Sequence, residues 1–186
     1  MPRKPSGFTM LELLIVIIII GIIAAFALPS AINFVKGYKL HADASAIASQ
    51  LNVTRFRATS QYAPYRMHIS TSSGLFRMDR LSTDYTSSSY TEVSFGLSQG
   101  DTFLTSCPVT AKPGTIPSSF TGASTDIYFN TRGLPVVPVS GSGTPTNLNV
   151  IYLKNDNNLY DAITVSLGGR ITVWGYSPTT STWVAR

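Results

Sequence analysis

Gly7-Phe8-Thr9-Met10-Leu11-Glu12-Leu13-Leu14-Ile15-Val16 opens a run that stays apolar to Leu28, with Glu12 as its one charge. No further charged residue appears until Lys36. Phe8 to Leu28 is 21 residues, about 31 Å as an α-helix, enough to cross the hydrocarbon of a bilayer. A carboxylate inside such a segment costs roughly 2.5–3.5 kcal/mol near the bilayer centre and less towards an end, so Glu12 is expected to have a partner. Within the chain the nearest cation would be a free amine at Phe8, created by cutting after Gly7. On the same helix that amine lies about one turn away and points poorly. The amine of a neighbouring copy is the better counter-ion.

Gly7-Phe8-Thr9-x-x-Glu12 followed by Leu13-Leu14-Ile15-Val16 resembles the class III leader and N-methylation site of type IV pilins and type II secretion pseudopilins. The resemblance implies that residues 1–7 are a leader peptide. A prepilin peptidase cuts after Gly7 and methylates the new amine of Phe8. Glu12, with Thr9 close by, then serves filament assembly by pairing with a neighbour's N-terminus. Residues 8–28 become a transmembrane and filament-core helix, and Pro29 falls where such helices commonly kink.

Arg3 and Lys4 precede the apolar run, so the positive-inside rule keeps the N-terminus cytoplasmic. The expectation is a single-pass protein of the bacterial inner membrane with its remainder in the periplasm. Ala25-Phe26-Ala27 fits the small-x-small pattern of an ordinary signal peptidase site, which would release a chain starting at Leu28. Glu12 argues against that reading, because a charge in an export core is costly. The helical patterning also continues across Ala27.

The whole chain carries net charge +5, but a binding face for nucleic acid does not follow. Residues 61–186 hold eight Lys/Arg against seven Asp/Glu, close to +1. The single Cys107 makes no intrachain disulfide and reads as a small buried or half-buried residue beside Pro108. His41 and His68 show no paired carboxylate at ligand spacing and read as surface or satisfied histidines. No zinc spacing, phosphate loop or nucleophile elbow appears, so no catalytic residue, metal or cofactor is expected. Asn155-Asp156-Asn157-Asn158 with Asp161 is oxygen-rich but lacks a dedicated calcium-loop pattern, and reads as a turn.

Beyond Pro29, Leu40, Ala44, Ile47, Leu51 and Ala58 recur at helical steps and make one apolar stripe. One long helix from about Phe8 to Ser60 is expected, its second part, residues 29–60, amphipathic. Residues 61–186 read as a β-rich head. Strands are expected at Tyr65–Ile69, Leu75–Met78, Val93–Leu97, Thr102–Ser106, Ile127–Phe129, Leu148–Leu153, Ala162–Leu167 and Arg170–Tyr176. Ser82–Thr91, Cys107–Ser124 and Pro135–Pro145 read as irregular, and Asn130–Gly133, Asn155–Asn158 and Gly168-Gly169 as turns. The fold class is α+β: a long N-terminal helix against an antiparallel head.

Phe129-Asn130-Thr131-Arg132-Gly133, then Val165-Ser166-x-x-Gly169-Arg170-Ile171, resembles the C-terminal pattern of the GspH/FimT group of minor pseudopilins and minor pilins. The resemblance implies a pilin-like head of two sheets and a non-enzymatic subunit of a type II secretion pseudopilus or type IV pilus. Its partners would be other pilins or pseudopilins and an inner-membrane assembly platform. Some FimT-like members bind DNA through Gly-Arg-x-Arg. Here the positions read Gly169-Arg170-Ile171-Thr172, without the second arginine. A DNA-uptake role through Arg170, joined by Arg132, is the alternative, and any contact is expected to be weak and salt-sensitive.

Overall fold

The apolar run and the stripe that follows it form one α-helix, α1, Met10–Ser60, in a computed structural model. The structure describes residues 8–85, 88–91, 94–114, 116–118, 120–139 and 142–186. The expected leader, residues 1–7, with its cleavage residue Gly7, lies outside them. The chain divides into two compact units, one ending at Val35 and the other running Lys36–Arg186.

In the first unit α1 carries an 18-residue window of mean hydropathy 3.1, long and apolar enough to cross a membrane. None of its described residues is buried, so nothing within this unit covers the aliphatic side chains. The helix runs on through Pro29. Lacking an N–H, that proline leaves the carbonyl of Ala25 without its usual donor.

In the second unit α1 becomes one-sided. Leu40, Ala44, Ile47, Leu51 and Ala58 are fully buried, as their spacing predicts, together with Thr54. The Thr54 hydroxyl is satisfied by donating to the Gln50 carbonyl at 2.7 Å.

Among the described residues twelve strands follow, in two antiparallel sheets. The first is seven-stranded, with order β3-β2-β1-β6-β7-β8 and β4 beside β2. It comprises β1 (Tyr65–Ser70), β2 (Leu75–Leu81), β3 (Ser88–Thr91), β4 (Phe95–Gly96), β6 (Asp126–Phe129), β7 (Pro135–Val139) and β8 (Ser142–Pro145). The second is five-stranded, with order β12-β11-β10-β9-β5. It comprises β5 (Thr102–Leu104), β9 (Asn149–Lys154), β10 (Tyr160–Val165), β11 (Ile171–Ser177) and β12 (Thr182–Ala185).

One core joins the α1 stripe to the inner faces of both sheets, through Tyr65, Met67, Met78, Ile127, Phe129, Ile151, Leu153, Ile163 and Val165. The second sheet is covered on its outer face too. Val150, Tyr152 and Ala162 pack there with Ile116, Cys107, Phe120 and Trp174. This explains the near-continuous burial of β9 and β10, which a half-solvated strand would not show.

Three expectations need correction. Pro135–Pro145 contains a hairpin, β7 with β8, registered Val136↔Pro145 and Pro138↔Gly143. Its prolines are tolerated because β6 reaches only Pro135 and Val136, leaving the rest of β7 and all of β8 at the sheet margin. Ser82–Thr91 ends in β3, which pairs with Asp79–Leu81 through a register shift at Arg80/Leu81. The last strand, β12, pairs with Trp174–Ser177, where sequence reading placed none. In the expected strand Val93–Leu97, Val93 lies outside the described residues and Phe95–Gly96 pairs with β2.

Candidate functional site

The start of α1 is built around Thr9 and Glu12. Thr9 stands just before the helix, and its hydroxyl accepts the Glu12 N–H at 3.2 Å. The Thr9 carbonyl accepts the Leu13 N–H, also at 3.2 Å. Thr9 is thus the N-cap, and Thr9-x-x-Glu12 has the spacing of a capping box. Glu12 adds an acid in the first turn, where the helix dipole favours negative charge. Phe8 is 80% exposed. Sequence reading attached Thr9 to assembly; the structure adds a local task, capping the start of the helix at the turn that carries Glu12.

A second cluster lies within the second unit, where Arg55 of α1 reaches two turns of the sheets. Its Nε donates to the Gly133 carbonyl at 3.1 Å, Nη1 to Gly169 at 2.9 Å and Nη2 to Gly168 at 3.3 Å. Gly133 and Gly169 both have positive φ, 72° and 78°. A Cβ on Gly169 would come within 2.8 Å of the Gly133 carbonyl oxygen. The two glycines of the Asn130–Gly133 and Gly169-Arg170 patterns are therefore there for close approach as well as turning. Asn130 closes the first turn by accepting the Arg132 and Leu134 N–H groups at 3.0 Å each. The arrangement brings the expected Arg132 and Arg170 onto adjoining turns, and both are exposed. Arg55, which holds those turns together, was missed in sequence. Its acceptors are backbone carbonyls, and no residue pattern marks those.

Both histidines are satisfied by carboxylates from distant strands. His68 Nδ1 donates to Asp126 Oδ1 at 2.8 Å. His41 on α1 donates from Nδ1 to Asp161 Oδ2 and accepts on Nε2 from Arg186 Nη1. Asp161 is fully buried, and burial pushes its carboxyl up, with the His41 contact pulling the other way. Asp161 therefore serves His41 and not an oxygen cage with Asn155–Asn158. That segment is a turn, with Asn155 Oδ1 accepting the Asn157 and Leu159 N–H groups at 2.9 and 3.0 Å. Among the described residues, no group of His, Cys, Asp and Glu has an arrangement that would hold a metal ion. Cys107 is half-buried, its thiol donating to the Val109 carbonyl at 3.1 Å.

Asp101 is the strongly perturbed acid of the second unit. It is 9% exposed, and its Oδ2 is buried without a hydrogen-bond partner. Burial, then the neighbouring Asp43 and Asp156, push its carboxyl up to about 7, with Lys39 pulling it down. Asp43 in turn accepts the Ser98 N–H at 2.6 Å and the Ser98 hydroxyl at 3.0 Å. Because the folded-state value is raised, the stability Asp101 contributes is fully present below about pH 4 and is lost as pH rises through about 7. The drop in thermal midpoint between pH 5 and pH 8 should therefore shrink in Asp101→Asn. An unchanged drop, followed by tryptophan fluorescence, would assign the pH dependence to other groups.

Comparison with known proteins adds the following. The prokaryotic N-terminal methylation motif matches residues 2–28. Two solved structures of the minor pseudopilin EpsH from the type 2 secretion system of Vibrio cholerae are similar to this chain. One is 10% identical with a TM-score of 0.46, covering 74% of this chain and 97% of EpsH. The other is 12% identical with a TM-score of 0.42, covering 75% and 94%. No curated protein matches the sequence.

Proposed function

We propose that this chain is a minor pilin or pseudopilin of the GspH/FimT type, a structural subunit of a type II secretion pseudopilus or a type IV pilus. The observation that carries the reading is the match of residues 2–28 to the methylation motif on a membrane-length helix with no buried residue in its first unit. A helix that covers its apolar surface with nothing of its own needs lipid, sister helices or both. The precursor sits in the inner membrane with Arg3 and Lys4 on the cytoplasmic side. A prepilin peptidase cuts after Gly7 and methylates Phe8. Glu12 then meets the amine of an adjacent subunit as an assembly platform draws the chain into a filament, and Pro29 gives the helix a place to bend. The role is one of building and contact, not of catalysis.

Mass spectrometry of the native product tests the first step. The mature chain should begin at Phe8 with a methylated amine. An intact Met1, or a chain beginning at Leu28, would overturn the assignment.

Contact with DNA during uptake is the second reading, favoured by the exposed Arg132 and Arg170 on adjoining turns. The near-balanced charge of residues 61–186 works against it, since phosphate contacts need several cations. Gel shifts of the purified chain across a salt series separate the two readings, and no retardation at low salt removes DNA.

A further inference from the structure

We propose that the outer face of the second sheet carries a receptor for a carboxylate presented by a peptide segment of a partner protein. A cleft of about 260 Å³ opens there, floored by Trp174, Thr164 and Thr172, with Arg170 and Ser166 at one end. The register explains the placement. Thr164 of β10 faces Thr172 of β11, and Trp174 lies one pair further along the same face, opposite Ala162. Gly114 forms the opposing wall, where a Cβ would come within 2.7 Å of the indole ring.

The hydrogen-bond inventory of this cleft is one-sided. Thr164 Oγ1 accepts from Trp174 Nε1 at 2.9 Å, so the hydroxyl's own proton is left to donate. Ser166 Oγ accepts the Arg170 N–H at 3.0 Å and is in the same position. Among the described residues the Arg170 guanidinium has no hydrogen bond or ion pair, and the side chain is exposed. Among the described residues no Asp or Glu side chain lines the cleft. A cation and hydroxyl donors converge with no acid to answer them, beside an indole face suited to apolar carbon. This is the complement of an anionic group on a short aliphatic stem, such as a glutamate side chain.

The size and charge favour a peptide over a nucleic acid. The volume is below that of typical pockets for drug-sized ligands, which begin at about 300 Å³, and suits one side chain. One arginine makes one charge-assisted contact, whereas a polyanion gains affinity by engaging several cations. A cleft left open at the edge of that covered face, on a subunit read above as a filament component, is also well placed to receive a segment of another protein.

The test uses the full chain in detergent micelles and follows the Trp174 indole N–H resonance, assigned by its loss in Trp174→Phe. The probes are the blocked tripeptide Ala-Glu-Ala, its Ala-Gln-Ala counterpart and a single-stranded thymidine oligonucleotide. The glutamate peptide should shift the resonance saturably, and the glutamine peptide should leave it in place. Arg170→Gln should abolish the response, Thr172→Val should weaken it several-fold, and Arg132→Gln should not alter it. Circular dichroism of each variant checks that the fold is retained. An unmoved resonance, or equal shifts with both peptides, overturns the proposal. So does a shift produced by the oligonucleotide alone and lost in both arginine variants, which would assign the cleft to nucleic acid. None of these outcomes bears on whether the chain starts at Phe8, so the filament reading stands or falls separately.

Discussion

On the proposed role as a filament subunit, replacing Glu12 by Val should leave cleavage after Gly7 intact and lower the amount of this chain in sheared filaments more than tenfold. The carboxylate lies in the first turn of a helix that continues through Leu13–Leu28 without another charged or polar side chain. If the helices pack as proposed, the adjacent subunit's amine would then lose its counter-ion in a low-dielectric setting. Stranding one member of a buried pair costs about 3–5 kcal/mol, well beyond the 1.4 kcal/mol that corresponds to a factor of ten. Glu12→Gln, similar in shape but neutral, should behave like Glu12→Val. Thr9→Ala separates capping from pairing. It removes the hydroxyl that accepts the Glu12 N–H, a loss of about 1 kcal/mol, and should leave incorporation near normal. Quantitative immunoblots of sheared and membrane fractions, with the mature mass checked, give the readout. Wild-type incorporation of Glu12→Val would end the pairing account.

Arg55→Ala should lower the thermal midpoint of the protein by roughly 6–12 °C. The guanidinium serves three carbonyls on two turns, and bonds to a charged donor contribute about 1.5–3 kcal/mol each before solvent replaces part of them. A net loss of about 3 kcal/mol, at about 2–4 °C per kcal/mol for a domain of this size, gives that range. Arg55→Lys should recover less than half, because one ammonium cannot span three acceptors as a planar fork does. A drop of less than about 2 °C on Arg55→Ala would show that the turns hold without the clamp. Gly169→Ala attacks the same point from the other side, since its φ of 78° and the 2.8 Å approach to the Gly133 carbonyl leave no room for a Cβ. The double variant should cost less than the sum of the two, as expected for neighbours sharing one contact.

The long helix could be read from the sequence because its two signals are strong and local. The first is an unbroken aliphatic run; the second is a stripe at steps of three and four from Leu40 to Ala58. Most strands were legible for the same reason: Tyr65, Met67 and Ile69 alternate with polar residues on one buried face. The β7–β8 hairpin was not legible, because Pro138 and Pro145 argue locally against a strand and only the sheet's margin makes them harmless. Arg55 was hidden because its partners are peptide groups 78 and 114 positions away. The link from His41 to Asp161 was hidden in the same way, since 120 positions separate them and no spacing rule joins a helix to a strand at that range. The Gly-Arg pattern was visible, but its structural reason, two turns held against one side chain, needed the third dimension.

The described residues between Ser106 and Ser124 cover part of the outer side of a sheet whose inner side is already packed on α1. They meet that sheet mainly through a few anchors, among them Ile116, Phe120 and Cys107. Backbone bonds tie them down as well, Ala123 N–H to the Thr105 carbonyl and Ser124 N–H to the Val150 carbonyl. Exposed positions between these ties, such as Thr110 and Ser118, border no strand, so exchanges there should leave the register of the sheet beneath untouched.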